Sequence, residues 1–463
     1  MPTISPEILF KVNSEQSSKD LDRIDLVSSR IQNYSVLVNK AKEQYKNLDL
    51  AKRRASALKN KAIENLEKNL IEFEANFIKR GGKTIWAQNA EEALFEVNNL
   101  ITRTENNKKI ITNKSRIAED LKVKDSVKSI GFEVIESDFN EYICSASNQE
   151  SFHLSNIAIN ISDKEISELF TKKFSTSRDL PTEDLVDFFN EHYYAKLSEA
   201  DISICGADFL IADTGSVVIS ELNANSVIAS SSPKIQIIIA GIDQLLSSIV
   251  DLDLFLPLYS TFTYGQQLNS YNIILSGPKL DDESEGPTEM YIVLVDDDRS
   301  SVLIKSEQRK AALCINCGAC YNVCPVYKTI GGHAYGNNFG GPIGSIALPL
   351  RKGMQDYRHL SFASTLCGAC TVVCPMNIPL HRLLLINRRD IAAAGFTSKK
   401  EKLRLIMYKQ SMKKRKLLEI TGSNFKNIFL KKSFGTSWGK NREIPLVTKK
   451  SFSKQYKERN SIK

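Results

Sequence analysis

The chain has 463 residues, 42% hydrophobic and 25% charged, a balance suited to a globular protein of two or three domains. No stretch of 18 apolar residues occurs, and the nearest, 235–259, is interrupted by Asp243, Asp251 and Asp253, so no membrane-spanning helix is expected. The opening Met-Pro-Thr-Ile-Ser-Pro-Glu lacks the basic and apolar segments of an export signal, and a cytoplasmic protein is expected.

The net charge of +8 is unevenly spread. Residues 381–463 carry 23 Lys and Arg against 5 Asp and Glu, whereas the rest carries 39 against 49. A basic tail on an acidic body predicts a docking surface for an acidic partner, or peripheral contact with the inner membrane face and its quinone pool. No stacking motif accompanies the charge, so nucleic acid is not an expected partner.

Residues 1–80 read as an N-terminal helical segment. Ile63, Leu66, Leu70, Phe73 and Phe77 recur at spacings of 3 and 4, and Gly81-Gly82 ends the helix. The polar first forty residues are expected to fold only loosely. From 81 to 300 the pattern alternates: strands at Thr84–Ala87, Lys109–Thr112 and Phe132–Glu136 are separated by helices over Glu91–Leu100 and Ser115–Val123. Such alternation predicts parallel βαβ units. Asp163–Leu197 reads as helical, broken near Pro181, and further strands are expected at 202–221, Ile235–Ile239, Asn272–Leu275 and Tyr291–Val295. Between two β-rich runs, Asp213-Thr-Gly-Ser216 could offer N–H groups and hydroxyls to an anion. The stronger reading is a hairpin corner, with Gly215 supplying the positive φ.

Residues 301–390 carry the chemistry. Of nine cysteines, seven lie in Cys314-Ile-Asn-Cys317-Gly-Ala-Cys320-Tyr-Asn-Val-Cys324-Pro325 and Cys367-Gly-Ala-Cys370-Thr-Val-Val-Cys374-Pro375. The first run has the C-x2-C-x2-C-x3-C-P spacing of bacterial ferredoxins, and the second repeats its last three cysteines and proline. Soft thiolates so closely spaced suit two iron–sulfur clusters. The fourth cysteine of such a motif ligates the other motif's cluster, so Cys314, Cys317 and Cys320 would join Cys374 around a [4Fe–4S] cluster. Cys324, Cys367 and Cys370 would hold a second cluster one cysteine short, because Ser364 stands where the motif's first cysteine belongs. That site suits either [4Fe–4S] with one non-cysteine ligand or [3Fe–4S]. Structural zinc uses paired ligands without the third cysteine or the C-P ending, and a disulfide framework is disfavoured by the tight spacing. Cys144 and Cys205 stand in apolar runs and read as buried small hydrophobes. Gly331–Gly336 and Gly340–Gly344 match no phosphate-loop template and are expected to let backbone approach the clusters and donate to sulfur. His333 is read as structural. Residues 391–463 form the basic tail, with a helix over Lys399–Ile420 and an extended arm over Trp438–Arg459.

The two cysteine motifs, Gly331-Gly-His-Ala-Tyr-Gly336, Gly341-Pro-Ile-Gly344, Gly206-Ala-Asp-Phe209, Thr214-Gly-Ser216 and Lys450-Ser-Phe452 together resemble the lactate utilization protein B family, from about residue 50 onward. The chain departs from the family pattern at Asp213, at Asn160 and in the turn Glu221–Ser226. The resemblance implies an α/β body similar to the CoA-transferase and ribose-phosphate-isomerase group, followed by an α-helical two-cluster ferredoxin-type domain. It implies the same pairing of cysteines, two sister proteins as partners, and electron transport while L-lactate becomes pyruvate. Three other readings remain open: a catalytic subunit binding lactate at the open iron or beside Thr214–Ser216, a redox subunit of a heterodisulfide-reductase-like complex, and a structural scaffold whose clusters only hold the fold.

Overall fold

The computed structural model describes residues 5–103, 108–113, 115–149, 153–154, 156–177, 180–197, 199–336, 339–396, 399–413, 422–438 and 443–461. These divide into two units, Met1–Asp390 and Ile391–Lys463.

Short β-branched runs give the strands of the first unit: β1 (Lys83–Ala87), β2 (Lys109–Thr112), β3 (Glu133–Glu136), β4 (Ile202–Gly206), β5 (Phe209–Ile211), β6 (Ser216–Glu221), β7 (Ile235–Gly241), β8 (Leu245–Leu246), β9 (Tyr271–Leu275) and β10 (Glu289–Val295). Six form an all-parallel sheet in the order β1-β10-β7-β4-β2-β3. The apolar runs of β7 and β10 are continuous because both faces of the sheet are covered. Ile237, Ile239, Val293 and Val295 pack with Ala93, Val97 and Leu100 of the helix Ala90–Ile101. Ile238, Ala240, Ile292 and Leu294 face the other way, onto Leu70, Phe73 and Phe77 and onto a second sheet, β8-β5-β6-β9. The strand order reverses between β2 and β4: the chain leaves β2 outward to β3, and leaves β4 in the opposite direction to β7 and β10. This α/β body with its parallel sheet agrees with the alternating pattern.

The N-terminal residues correct the sequence reading. They form four helices, α1 (Pro6–Ser17), α2 (Leu21–Lys42), α3 (Leu48–Glu64) and α4 (Leu66–Lys79). Asp20 caps α2 by accepting from the Arg23 N–H, and Asn47 caps α3 by accepting from Leu50. Far from being loose, α2 buries Val27, Ile31, Val38 and Ala41 on one stripe. From α1, Phe10 packs on Tyr335 and His359 at ring distances of 5.6 and 5.2 Å, and Glu7 pairs with Arg358 at 3.0 Å. The apolar residues are too sparse to mark a core locally, and contacts more than a hundred residues away bury them.

A helix over Leu252–Tyr264, within a run read only as apolar, buries Phe255, Leu258 and Phe262. In the second unit, helices run over Lys399–Lys413, Ser423–Trp438 and Phe452–Asn460. The expected helix beyond Lys413, to Ile420, lies outside the described residues. The expected extended arm holds only in part, because Phe452–Asn460 is helical. Among the described residues, no helix is long and apolar enough to cross a membrane.

Candidate functional site

Each Cys-Gly-Ala-Cys segment turns on its glycine. Gly318 (φ 74°) and Gly368 (φ 83°) adopt the left-handed conformation, and each starts a one-turn helix, Ala319–Asn322 and Ala369–Val373. Pro325 then opens the helix Pro325–Ile330 at its first position, where no N–H is needed.

These turns place the seven cysteines around two cavities. Cys314, Cys317, Cys320 and Cys374 line the first, with apolar walls from Leu154, Ile315, Ile343, Met376, Ile378 and Leu380. Cys317, Cys320 and Cys374 are buried and Cys314 partly so. Burial pushes the Cys314 thiol up to about 12, and raises those of Cys317, Cys320 and Cys374. Cys324, Cys367 and Cys370 line the second cavity with Ser364, Thr365, Ser345 and His381. Burial raises Cys324, and takes Cys370 to about 11. Cys367 is exposed, and hydrogen bonds from the Ala369 N–H and the Thr365 side chain lower its thiol. Ser364 Oγ accepts from the Leu366 N–H at 3.1 Å, and His381 Nδ1 lies 2.8 Å from Thr371 Oγ1.

The donor chemistry fits iron–sulfur clusters. Four sulfurs lining a buried apolar room suit a soft multi-metal cage that takes its thiolates at separate corners. Thiols raised this far must surrender protons as metal binds.

Backbone donors to sulfur come from within the motifs. The Asn316 N–H lies 3.4 Å from Cys314 Sγ, Ala319 donates to Cys317, and Met376 and Ile378 donate to Cys374. Of the glycine-dense loops, Gly340–Gly344 reaches both cavities, through Ile343 in the first and Pro342 in the second. A side chain at Gly341 would meet the Tyr321 ring, one at Gly340 the Tyr335 ring, and one at Gly344 the Phe339 carbonyl. Those glycines permit close packing. His333 lies outside both cavities, with Nε2 3.4 Å from Asn160 Nδ2, and burial lowers its pKa. The turn at Asp213–Ser216 is a hairpin corner joining β5 and β6, and Gly215 (φ 64°) presses on the backbone of Asn76 and Phe77. Asp213 there accepts from the Ile249 N–H. Cys144 and Cys205 are buried, with thiols pushed up to about 12.

Two lysines escaped the sequence reading. Lys52 and Lys59 of α3 are buried, at 6% and 1% exposure. Lys52 Nζ donates to the Val372 carbonyl at 2.9 Å, two residues before Cys374. Lys59 Nζ donates to the carbonyls of Asp243 and Leu245 at 2.6 and 2.9 Å, and burial lowers it to about 8. The available signal was their place at i and i+7 with Ala55 and Ala62 between and beyond, a stripe that composition alone assigns to solvent.

Comparison with known proteins agrees with this architecture. Residues 70–295 match the LUD domain, and residues 310–378 match a 4Fe-4S dicluster domain. Lactate utilization protein B of Bacillus cytotoxicus is 34% identical over 431 residues, covering 90% of each chain. Its counterpart in Bacillus thuringiensis is 32% identical, with the same coverage. A crystal structure of a DUF162 family protein from Deinococcus radiodurans covers 50% of this chain and 98% of its own, at 14% identity and a TM-score of 0.28, too low to carry an argument. With a relative this similar over nine-tenths of both chains, and a LUD domain followed by a 4Fe-4S dicluster domain, the chain belongs to the lactate utilization protein B family.

Proposed function

We propose that this chain is the iron–sulfur electron-transfer subunit of a system that oxidises L-lactate to pyruvate. In this reading Cys314, Cys317, Cys320 and Cys374 hold a [4Fe–4S] cluster. Cys324, Cys367 and Cys370 hold a second cluster, either [3Fe–4S] or [4Fe–4S] with a non-cysteine ligand, for which Ser364 is the nearest oxygen donor by motif. When bound, the clusters supply one-electron chemistry between a two-electron donor and an acceptor in a sister subunit or the quinone pool. The chain's own residues set the conditions. Apolar walls keep water from the first cavity, motif N–H groups donate to sulfur, and Lys52 and Lys59 bring positive charge close by. The cysteine-lined cavity walled by Ile315, Ile343, Met376 and Ile378 carries the proposal.

We divide the chain into a helical lead-in to residue 80, an α/β body over 81–300 of CoA-transferase type, the cluster module over 301–390 and a basic docking tail. Thiol usage of this kind suits a reducing cytoplasm. Iron analysis and low-temperature EPR of anaerobically purified protein test the proposal. About six to eight irons per chain and reversible reduction between about −700 and +450 mV are expected. A colourless protein with two irons or fewer overturns it.

A further inference from the structure

We propose that His381, through Nε2, is the fourth protein ligand of the second cysteine site, so that three thiolates and one imidazole hold a four-iron cluster there. The inference rests on the reading of that cavity as an iron–sulfur site. Cys324, Cys367 and Cys370 supply three ligands, and a four-iron cluster has one corner more. Besides the cysteines, the polar side chains lining the cavity are three hydroxyls, of Ser345, Ser364 and Thr365, and one ring, His381.

The hydroxyls are suited to other tasks. Ser364, at the motif position of the absent cysteine, accepts from the Leu366 N–H at 3.1 Å, and its carbonyl accepts from Arg388 Nη2 at 3.2 Å. The Thr365 side chain hydrogen-bonds Cys367. Ser345 is 1% exposed, and its Oγ is shut from water without a hydrogen-bond partner among the described residues. An orphaned hydroxyl beside three thiols suits a donor to the sulfur of a bound cluster. A hydroxyl must also lose its proton to bind iron as an anion, whereas neutral imidazole brings a lone pair ready.

The fold presents His381 to the cavity and pins its ring. His381, Leu384 and Arg388 recur at spacings of 3 and 4 on the helix Leu380–Ala393, which puts them on one face. His381 and Leu384 line the cavity, and Arg388 Nε and Nη2 donate to the Ser361 and Ser364 carbonyls at its edge. Thr371, next to Cys370, holds the imidazole. Its Oγ1 accepts from the His381 N–H at 3.2 Å and lies 2.8 Å from Nδ1. Metal-bound histidines give their other ring N–H to a fixed acceptor of this kind, which sets tautomer and orientation. With Nδ1–H donated to Thr371, the lone pair sits on Nε2, which has no hydrogen-bond partner among the described residues. A neutral imidazole in place of a fourth thiolate removes one negative charge from the site. That raises its reduction potential and favours electron flow toward it.

Electron–nuclear double resonance on the anaerobically purified full-length protein, grown with isotopically labelled histidine and reduced chemically or by low-temperature radiolysis, tests the ligand. The wild type should hold about eight irons per chain and show a histidine nitrogen coupled directly to a cluster. His381→Ala should lose that coupling, fall to about seven irons, and gain the EPR signal of an oxidised three-iron centre. Ser364→Ala should keep both the iron and the coupling. Should His381→Ala not accumulate, His381→Cys supplies a thiolate: it keeps its iron, loses the nitrogen coupling and shifts the potential of the second site negative. No coupled histidine nitrogen in the wild type, or a coupling that survives substitution of His381, overturns the proposal. So does a three-iron centre created by Ser364→Ala instead of His381→Ala. An iron-free second cavity removes this proposal together with the cluster assignment, whereas a loaded site without the nitrogen removes this one alone. Clusters that show the coupling but never exchange electrons lose the relay and keep His381.

Discussion

Glu221 shows how much one carboxyl at the end of β6 is constrained. Its oxygens accept from the Ser226 N–H at 2.6 Å and the Ser226 hydroxyl at 2.9 Å, and Asn113 also bonds it, yet burial dominates and raises it to about 7. The native state therefore binds more protons than the unfolded chain between pH 4.5 and 7. Stability falls as pH rises through that window, by roughly 3 kcal/mol, and is level above it. Urea midpoints measured from pH 5 to pH 8 should show this slope in the wild type and lose it in Glu221→Gln. At the first cysteine cavity, Lys52 sets charge beside Cys374 through the Val372 carbonyl. Lys52→Met should lower the reduction potential of that site, on the order of tens of millivolts, in an EPR-monitored redox titration. Cys320→Ala should remove about half the iron, whereas Cys370→Ala should spare the EPR signal of the first site. A variant that keeps all its iron would sink the assignment of that cysteine.

Between elements, a buried clasp joins the end of β10 to the helix Gly341–Arg351. Asp297 Oδ2 accepts from Arg351 Nη2 at 2.7 Å, its Oδ1 from Lys352 Nζ at 2.6 Å, and its carbonyl from Arg351 Nε at 3.1 Å. Asp297 and Arg351 are only 6% and 7% exposed as side chains. Burial alone would raise the carboxyl, but Lys352 and Arg351 outweigh it and hold Asp297 below its usual range. That contribution is present above the ordinary carboxylate pKa and is lost as pH falls through the lowered one. Asp297→Asn leaves Arg351 buried without its counter-charge, so a loss of roughly 3 kcal/mol at neutral pH is expected from chemical denaturation. The acid limb of the stability curve should shrink with it. An unchanged denaturation midpoint would mean that solvent reaches the clasp.

At the scale of the whole molecule, all seven motif cysteines and the buried Lys52 and Lys59 of α3 lie in the unit Met1–Asp390, and the second unit holds none of them. A chain ending after Phe396 should therefore keep the iron content and EPR signals of the full protein. If it purifies without iron, residues 397–463 are needed to load or retain the metal. The wild-type tail carries the basic excess, so binding to an acidic partner or anionic vesicles should vanish with it and weaken with salt.

Much of this was written locally. Motif spacing singled out Cys314–Pro375 because a loop that wraps a cluster must place its thiols within a few residues of one another. The apolar runs Ile235–Ile239 and Tyr291–Val295 announced buried strands, since a strand covered on both faces needs no polar alternation. The tertiary structure alone decided what depends on distant contacts. It inserted β10 between β1 and β7, turned Lys52 and Lys59 inward, buried the sparse stripe of α2, and gave the glycine loops to packing against Tyr321, Tyr335 and Phe339. It also brought Arg116, Asp208 and Asn316, each about a hundred residues from the next, to one cavity. Periodicity reports which face of an element is apolar, whereas the partner that covers a face is fixed only when the chain closes on itself.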